Sequence, residues 1–295
     1  MKGKIVALFA ALSLFAAYPA AFAAGGAAAE PELAIAASNG TCGDGLTWTL
    51  DGSGTLTISG SGAMYSYDYS PWYDSRYAIK TVIISDSVTS IGESVFDDCS
   101  SLTSVTIGNS VEYIENRAFR GCSSLTSVNI PDSVTMIGNY AFSGCSSLTF
   151  INVSKGNSKY CSINGVLFNK AVTVLICCPE GKTECIIPDS VTTISNSAFY
   201  DCSALTSINI PDSVTKIRFD AFSGCSSLKT VNIGDSVTTI DNWAFSGCSL
   251  LSSINIPDCV TTIGYSAFFR LLLAENHKIR WQSTKLEQDQ HRIRQ

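Results

Sequence analysis

The sequence has few charged residues and almost no histidine. Asp, Glu, Lys and Arg make up only 15% of its 295 residues, against roughly 25% in an average soluble domain. The formal net charge is −6, which speaks against a nucleic-acid partner, because phosphate binding needs a basic surface. The two histidines, His277 and His291, lie near the C-terminus. The rest of the chain contains no histidine and therefore cannot form a Ser–His or Cys–His catalytic pair or a metal site with a histidine ligand.

After its N-terminus the chain also lacks a long apolar run. At the N-terminus itself, two lysines precede an uncharged apolar stretch over residues 5–17, and a small-residue Ala-Phe-Ala site ends at Ala23. This order predicts a secretory signal peptide over 1–23 and a flexible lead-in over 24–38. The alternative is a transmembrane anchor, but about 20 apolar residues are needed to span a bilayer. We therefore expect an exported protein without a membrane span after signal cleavage.

A 23-residue repeat dominates the rest of the chain. One copy starts at Leu102 and reads LTSVTIGNSVEYIENRAFRGCSS, and the next starts at Leu125 and reads LTSVNIPDSVTMIGNYAFSGCSS. Further copies start at Leu148, Leu205, Leu228 and Leu251, and a degenerate copy starts at Ile79. One step in this series is longer than the others, because an insertion lies at about 154–187.

Each repeat predicts a short strand, a turn and a return. Val128 and Ile130 alternate with Asn129, and a period of two indicates a strand with one buried face. The following Pro-Asp-Ser segment turns the chain, and Ala141-Phe142 predicts a short helical or 3₁₀ turn on the opposite side. One unit cannot enclose its own apolar side chains, but stacked units can. The repeats therefore predict a right-handed solenoid with a parallel β-sheet along one face.

The repeat L-x-x-I-x-I-P-x-x-V-x-x-I-x-x-x-A-F-x-x-C resembles the BspA-like class of leucine-rich repeats of bacterial surface proteins. The resemblance covers residues 79–269 and implies a leucine-rich-repeat (LRR) solenoid at a secreted or cell-surface location. Gly40–Met64 resembles the domain that often precedes such repeats. Tyr160–Lys182 resembles the variant unit Y-x-S-x-D-G-V-L-F-N-K, with Asn164 in place of the usual Asp. After Phe268 the expected cysteine and further repeats are missing.

Two segments of different character flank the array. Leu46–Leu50 and Thr55–Ile58 alternate on either side of an Asp-Gly-Ser-Gly turn, which predicts a β-hairpin. We assign it to an N-terminal β cap over 39–78 that covers the first repeat. The tail, 270–295, shares no register with the repeats, and we expect it to be disordered; the alternative is a helix beginning at Leu271–Leu273 that covers the last repeat. Whether the C-terminus is native or truncated stays open.

A cluster of aromatic residues follows the hairpin. Its members are Tyr65, Tyr67, Tyr69, Trp72, Tyr73 and Tyr77. Rings at this density can stack on sugars, which makes Trp72 and Tyr73 candidates for a second, aromatic binding site. The alternative is that the rings pack between the cap and the solenoid.

Twelve cysteines in an exported protein suggest disulfides, but six of them share one repeat position. These are Cys99, Cys122, Cys145, Cys202, Cys225 and Cys248. Their Cβ vectors should run parallel, whereas a disulfide needs side chains that turn toward each other. We therefore predict a buried, reduced ladder. Within the insertion the cysteines can form one or two disulfides, and the pattern among Cys42, Cys161, Cys177, Cys178, Cys185 and Cys259 stays open.

Neither a metal site nor a cofactor site is predicted. The insertion cysteines have no C-x-x-C pair and no histidine beside them, which disfavours zinc. Gly181-Lys182-Thr183 lacks the earlier glycine of a phosphate loop. Aspartates recur at the turn position, at Asp86, Asp132, Asp189, Asp212, Asp235 and Asp258. Six equivalent carboxylates do not provide the two different environments of a glycosidase, so we assign them to turn formation, with a calcium-binding edge as the alternative.

The residues that alternate with the buried strand positions carry the functional prediction, because they face outward from the sheet. They form a neutral, hydrogen-bonding strip that consists of Ser104, Thr106, Ser127, Asn129, Phe150, Asn152, Ser207, Asn209, Thr230, Asn232, Ser253 and Asn255. Solenoids commonly bind partners along such extended faces. The alternative is that these residues only solvate the sheet and stack as amide ladders.

These observations predict a binding protein rather than an enzyme. The family resemblance implies a surface adhesin or protein–protein interaction module whose partner is an extracellular protein or a glycan. One alternative is a secreted glycan-binding or glycan-hydrolysing protein built on the insertion or the aromatic cap. The other is a purely structural element of the cell envelope. The sequence leaves the ligand, the means of surface retention and the oligomeric state open.

Overall fold

The computed structural model describes residues 37–271 and 278–281, and its backbone consists almost entirely of strands and turns. The predicted signal peptide, nearly all of the lead-in and most of the tail lie outside these residues. Within them, the only helix is a 3₁₀ helix over Tyr73–Ala78. No helix in this part of the chain is long and apolar enough to cross a membrane.

The first strand of each repeat and one strand of the tail are what we call the front strands, and they pair in parallel in four groups. They are β5 (Thr81–Ile84), β7 (Ser104–Thr106), β9 (Ser127–Ile130), β11 (Phe150–Val153), β16 (Ser207–Ile210), β18 (Thr230–Ile233), β20 (Ser253–Ile256) and β22 (Lys278–Trp281). Asn129 pairs with Asn152 and Asn209 with Asn232, so equivalent repeat positions lie side by side. The alternation of apolar and polar residues explains the sheet, because it buries one side and leaves the other exposed.

The second strands of the repeats, which we call the side strands, form two parallel groups that are separated at the insertion. They are β6 (Val88–Ile91), β8 (Tyr113–Ile114), β10 (Met136–Ile137), β15 (Thr193–Ile194), β17 (Lys216–Ile217), β19 (Thr239–Ile240) and β21 (Thr262–Ile263). Within each group the isoleucine of one side strand pairs with that of the next, as Ile217 does with Ile240. The front strands, the side strands and a third side of turns enclose the core.

The third side contains consecutive turns rather than the short helical turns that we expected. The backbone N–H of Phe119 donates to the carbonyl of Ala141 at 2.9 Å, and that of Phe222 donates to Ala244 at 2.7 Å. The residue before each Ala-Phe pair has a positive φ, 55° at Arg117 and 61° at Trp243. This left-handed residue breaks the helix and turns the phenylalanine into the core, so the fold is the predicted LRR solenoid with little helix.

Two stacks of aromatic rings form the centre of the core. Phe96, Phe119 and Phe142 form one stack and Phe199, Phe222, Phe245 and Phe268 the other, with centroid distances of 4.6–5.8 Å between neighbouring rings. The buried apolar residues likewise form two clusters that divide at the insertion. The insertion therefore interrupts the core as well as the sequence.

The six ladder cysteines are fully buried beside these rings, and their thiols are free. Each of four thiols donates to the carbonyl of a phenylalanine in the preceding repeat. The donors and distances are Cys122 to Phe96 at 3.2 Å, Cys145 to Phe119 at 3.1 Å, Cys225 to Phe199 at 3.0 Å and Cys248 to Phe222 at 3.1 Å. The cysteine thus fills space as a small apolar residue and also links neighbouring repeats.

We expect Cys225→Ala to lower the free energy of unfolding by about 1–2 kcal/mol, because it leaves a small cavity and removes one hydrogen bond but no covalent link. Urea denaturation followed by circular dichroism measures the change. Thiol titration of the denatured, unreduced wild type provides the second readout. If it finds no free thiol at the six ladder positions, the reduced ladder is wrong.

The N-terminal cap consists of β1 (Ser38–Gly43), β2 (Leu46–Leu50), β3 (Thr55–Gly60), β4 (Gly62–Ala63) and the 3₁₀ helix. β1, β2 and β3 form an antiparallel meander, one strand more than the hairpin in the sequence suggests. β3 then pairs in parallel with β5, and β4 pairs with β6. The cap therefore extends both sheets and covers the apolar end of the first repeat.

The insertion contributes β12 (Tyr160–Ile163), β13 (Val166–Asn169) and β14 (Val174–Cys177). They form an antiparallel meander, and β14 pairs in parallel with β15, where it takes the place of a side strand. Fully buried Asn157 anchors the start of the meander. Its Nδ2 donates to the carbonyls of Pro131 and Val134, and its Oδ1 accepts two backbone N–H groups.

One strand of the tail extends the solenoid by a further step. β22 pairs in parallel with β20, and Ser253 lies opposite Lys278. The repeat pattern does not indicate this pairing, because the offset is 25 residues rather than 23 and Lys-Ile-Arg-Trp does not match the template. Our expectation of disorder covers 270–295, within which Lys278–Trp281 is a strand; residues 272–277 and 282–295 lie outside the described residues.

Candidate functional site

All twelve residues predicted to face outward are exposed on the front strands. Within each described pair of front strands they stand in two rows, one that contains Ser127 and Phe150 and one that contains Asn129 and Asn152. We call this surface the front face. No lysine, arginine or carboxylate is among the twelve, so these residues offer hydrogen bonds without net charge.

Part of the hydrogen-bonding capacity of the front face is used within the face. Nδ2 of Asn152 donates to Oδ1 of Asn129 at 3.1 Å, which is the amide stacking that we considered as an alternative. Ser104 Oγ lies 3.4 Å from Thr81 Oγ1. An asparagine carries two amide donors and a carbonyl acceptor, so each such pair keeps free groups for a ligand.

Phe150 lies where the insertion meets the front face, and 48% of it is exposed. Lys182 Nζ lies 5.2 Å from the centre of its ring and donates to the carbonyl of Asn164 at 3.0 Å. Gly165 lies against the ring at a φ of +80°, and an added Cβ would come within 2.7 Å of Phe150 Cδ1. The hairpin of the insertion thus fixes one edge of the ring and leaves the other side open.

Three exposed apolar residues near the front strands were not predicted. Ile186 is 76% exposed, Ile83 40% and Ile163 38%. Ile186 has a sequence signal, because Ile187-Pro188-Asp189 repeats the Ile-Pro-Asp turn and places Ile186 at the position of Asn209. The insertion therefore replaces a polar position of the front face with an apolar one.

The alternative aromatic site is divided between core and surface. The Trp72 ring is 2% exposed, stacks on Phe96 at 5.5 Å and contacts Trp48 at 5.7 Å. Tyr73 is half-buried and lies under the Arg76 guanidinium, 3.7 Å from the ring centre. Trp72 is therefore not accessible to a ligand in this structure, and of the predicted pair only Tyr73 reaches the surface.

The aspartate ladder lies on exposed turns and bonds to the next repeat. Asp86 Oδ1 accepts the backbone N–H of Asn109, and Asp212 Oδ1 accepts that of Asp235, each at 2.9 Å. Each carboxylate of this kind satisfies a turn N–H one repeat further on, which is a structural role. Among the described residues no cluster of three or more metal-ligating side chains occurs.

The geometry defines the class of protein first. Stacked 23-residue units, with an apolar core enclosed by parallel front strands and parallel side strands, make the chain an LRR solenoid, a class that is generally non-enzymatic. The sequence pattern of the BspA type leucine rich repeat region matches residues 70–175 and 178–290, in six copies. This is more than half of the chain, and the chain belongs to that family. No curated protein matches it.

Solved structures share the fold at low sequence identity. The pneumococcal vaccine antigen PcpA is 19% identical with a TM-score of 0.56, and the match covers 77% of this chain and 78% of that one. A leucine rich cell surface protein from Faecalibacterium prausnitzii A2-165 is 22% identical with a TM-score of 0.54, over 87% of this chain and 97% of that one. At these sequence identities the similarity supports the assignment of the fold to this chain.

Proposed function

We propose that the chain is an exported or cell-surface binding protein, an adhesin or protein–protein interaction module, that holds an extracellular protein or glycan along its front face. The observation that carries the proposal is the front face itself, in which twelve outward residues are exposed and uncharged. The family, the likeness to a cell surface protein and the likeness to a vaccine antigen support an extracytoplasmic location, as does the signal peptide predicted over 1–23.

Binding along this face would be the sum of many weak contacts and one stronger one. A net hydrogen bond contributes about 0.5–1.5 kcal/mol, so single asparagines contribute little. An exposed aromatic ring can anchor an interface by about 2 kcal/mol or more, and Phe150 is the aromatic residue among the twelve. A screen of the purified 24–295 chain against extracellular-matrix proteins and glycans identifies the partner.

We expect Phe150→Ala to weaken binding to that partner most, by about 2 kcal/mol or roughly 30-fold in Kd. The double change Asn209→Ala and Asn232→Ala weakens it less. High salt changes the affinity little, because the face is neutral. Titration calorimetry measures all three.

Phe219→Ala is the matched control for Phe150→Ala, because Phe219 is an aromatic residue of similar exposure, 39%, that lies outside the front strands. The control should bind as the wild type does, and circular dichroism should show all variants folded. An affinity that ignores Phe150 but is lost in Tyr73→Ala would assign the binding site to the cap and contradict the proposal.

A further inference from the structure

The interrupted repeat contains a cavity, and the backbone shows why. The N–H of Cys178 donates to the carbonyl of Ala198 at 2.7 Å, the same bond that Phe199 makes to Ala221. Cys178 therefore stands at the position of the repeat phenylalanine, but a thiol replaces the ring. A cavity of about 120 Å³ lies here, lined by residues that include Phe142, Ile176 and Cys178.

A buried carboxyl group lines this cavity. Glu180 is only 7% exposed. Its Oε1 accepts the backbone N–H of Gly144 at 2.6 Å, and no described residue donates to its Oε2. Oε2 is not one of the described side-chain atoms that are both fully buried and unpartnered, so this oxygen keeps some accessible surface and is a free acceptor that a ligand can use.

Two tyrosines give the cavity an aromatic wall. The rings of Tyr140 and Tyr200 meet edge to face at a centroid distance of 5.5 Å, and both line the cavity. The hydroxyl of Tyr140 donates to Asp220 Oδ2 at 3.3 Å. Ser195 and Ser197 add hydroxyl groups to the lining. The wall thus combines ring faces, which attract cations, with hydrogen-bond acceptors.

The ionisable groups around the cavity are acids, phenols and thiols, without a basic side chain in the lining. Burial raises the pKa of Glu180 to about 8, and the charge of Asp201 acts in the same direction. Burial also raises the pKa values of Tyr140, Tyr200, Asp201 and Asp220. The other ionisable groups that interact with Glu180 are the thiols of Cys177 and Cys202. No lysine or arginine lines the cavity, and Arg117, which acts on Tyr140, lies 3.9 Å from Glu93.

We propose that this cavity is a binding site for a short primary ammonium group, either a small free amine or the end of a lysine side chain. The ammonium supplies the missing donor to Glu180 Oε2 and lies against the tyrosine rings. A cavity of about 150 Å³ holds benzene, so 120 Å³ accommodates about four or five non-hydrogen atoms. The site is separate from the front face, so it does not depend on the function proposed above.

Titration calorimetry of the 24–295 chain with propylammonium chloride tests the proposal. Propanol, which is neutral and of similar size, and sodium chloride are the ligand controls. We expect propylammonium to bind at least tenfold more tightly than propanol. A short peptide with one internal lysine and blocked ends is the second arm, and it distinguishes a free amine from a lysine side chain as the source.

Glu180→Gln should weaken propylammonium binding at least tenfold, whereas Glu184→Gln, a change at an exposed residue four positions away, should not. Glutamine resembles the protonated carboxyl group, so the fold should survive. Equal binding of propylammonium to the wild type and Glu180→Gln, equal binding of propanol, or no binding to the wild type would each overturn the proposal.

The pH dependence of the wild type tests the proposal without any variant. Glu180 must lose its proton to pair with the ammonium, and its pKa of about 8 means that the ionised fraction rises about tenfold per pH unit below that value. A primary amine keeps its proton until about pH 10. The affinity should therefore increase steeply from pH 6 to pH 8 and level off above it. A flat profile would contradict the role of Glu180.

Discussion

We expect Phe222→Ala to lower the free energy of unfolding by about 3–5 kcal/mol, because it empties an aromatic site at the centre of a stack. Phe222 is fully buried, and its ring lies 4.6 Å from that of Phe199 and 5.0 Å from that of Phe245. The substitution therefore removes a stacking partner from both Phe199 and Phe245. Urea denaturation monitored by circular dichroism measures the loss.

Phe219→Ala is the control for this change as well. It removes the same number of atoms three residues away, but Phe219 is half exposed rather than buried, and we expect it to change stability by less than about 1 kcal/mol. Comparable losses for the two variants would show that the aromatic stack does not hold the repeats together.

The second large effect is expected in the other aromatic stack, at its N-terminal end. The Trp72 ring of the cap stacks on Phe96 of the first repeat, and its Nε1 donates to the carbonyl of Val95 at 2.9 Å. Trp72→Ala removes both the ring and the donor, and we expect a loss of about 3–5 kcal/mol. It also exposes Phe96 to solvent, so the variant should aggregate on heating.

Trp72→Phe separates the two contributions. It keeps a ring against Phe96 but leaves the carbonyl of Val95 without its donor, which should cost about 1–3 kcal/mol. Tyr69→Ala, at a ring that is 68% exposed, is the control and should leave the melting temperature nearly unchanged. A melting temperature for Trp72→Ala close to that of the wild type would show that the cap does not close the core.

The sequence predicts those features of the fold that depend on alternation and on the 23-residue period. Val128 and Ile130 point inward and Asn129 outward as their spacing requires, and the asparagine rows follow from stacking in register. Asn209 and Asn232, half the array away, obey the same rule. Whether these residues bind a ligand stays a prediction, because exposure and regularity are equally compatible with solvation.

Other features have no periodic signal. Left-handed backbone at Arg117 and Trp243 occurs at positions where the residue type varies, so composition does not indicate the turns that replace a helix. The cavity at Glu180 depends on which insertion residue takes the phenylalanine position, and that is fixed by the pairing of β14 with β15. Such features depend on tertiary contacts, and the spacing of residues along the chain does not predict them.

The gap between the two aromatic stacks also sets how the protein unfolds. In a solenoid each unit is stabilised by its immediate neighbours, so order propagates from one unit to the next. Phe142 and Phe199 belong to different apolar clusters, and propagation is therefore weakest at the insertion. The array should melt as two cooperative blocks, with amide hydrogens on either side exchanging at two distinct rates. A pull along the solenoid axis would then open the molecule first at this internal joint rather than at its ends.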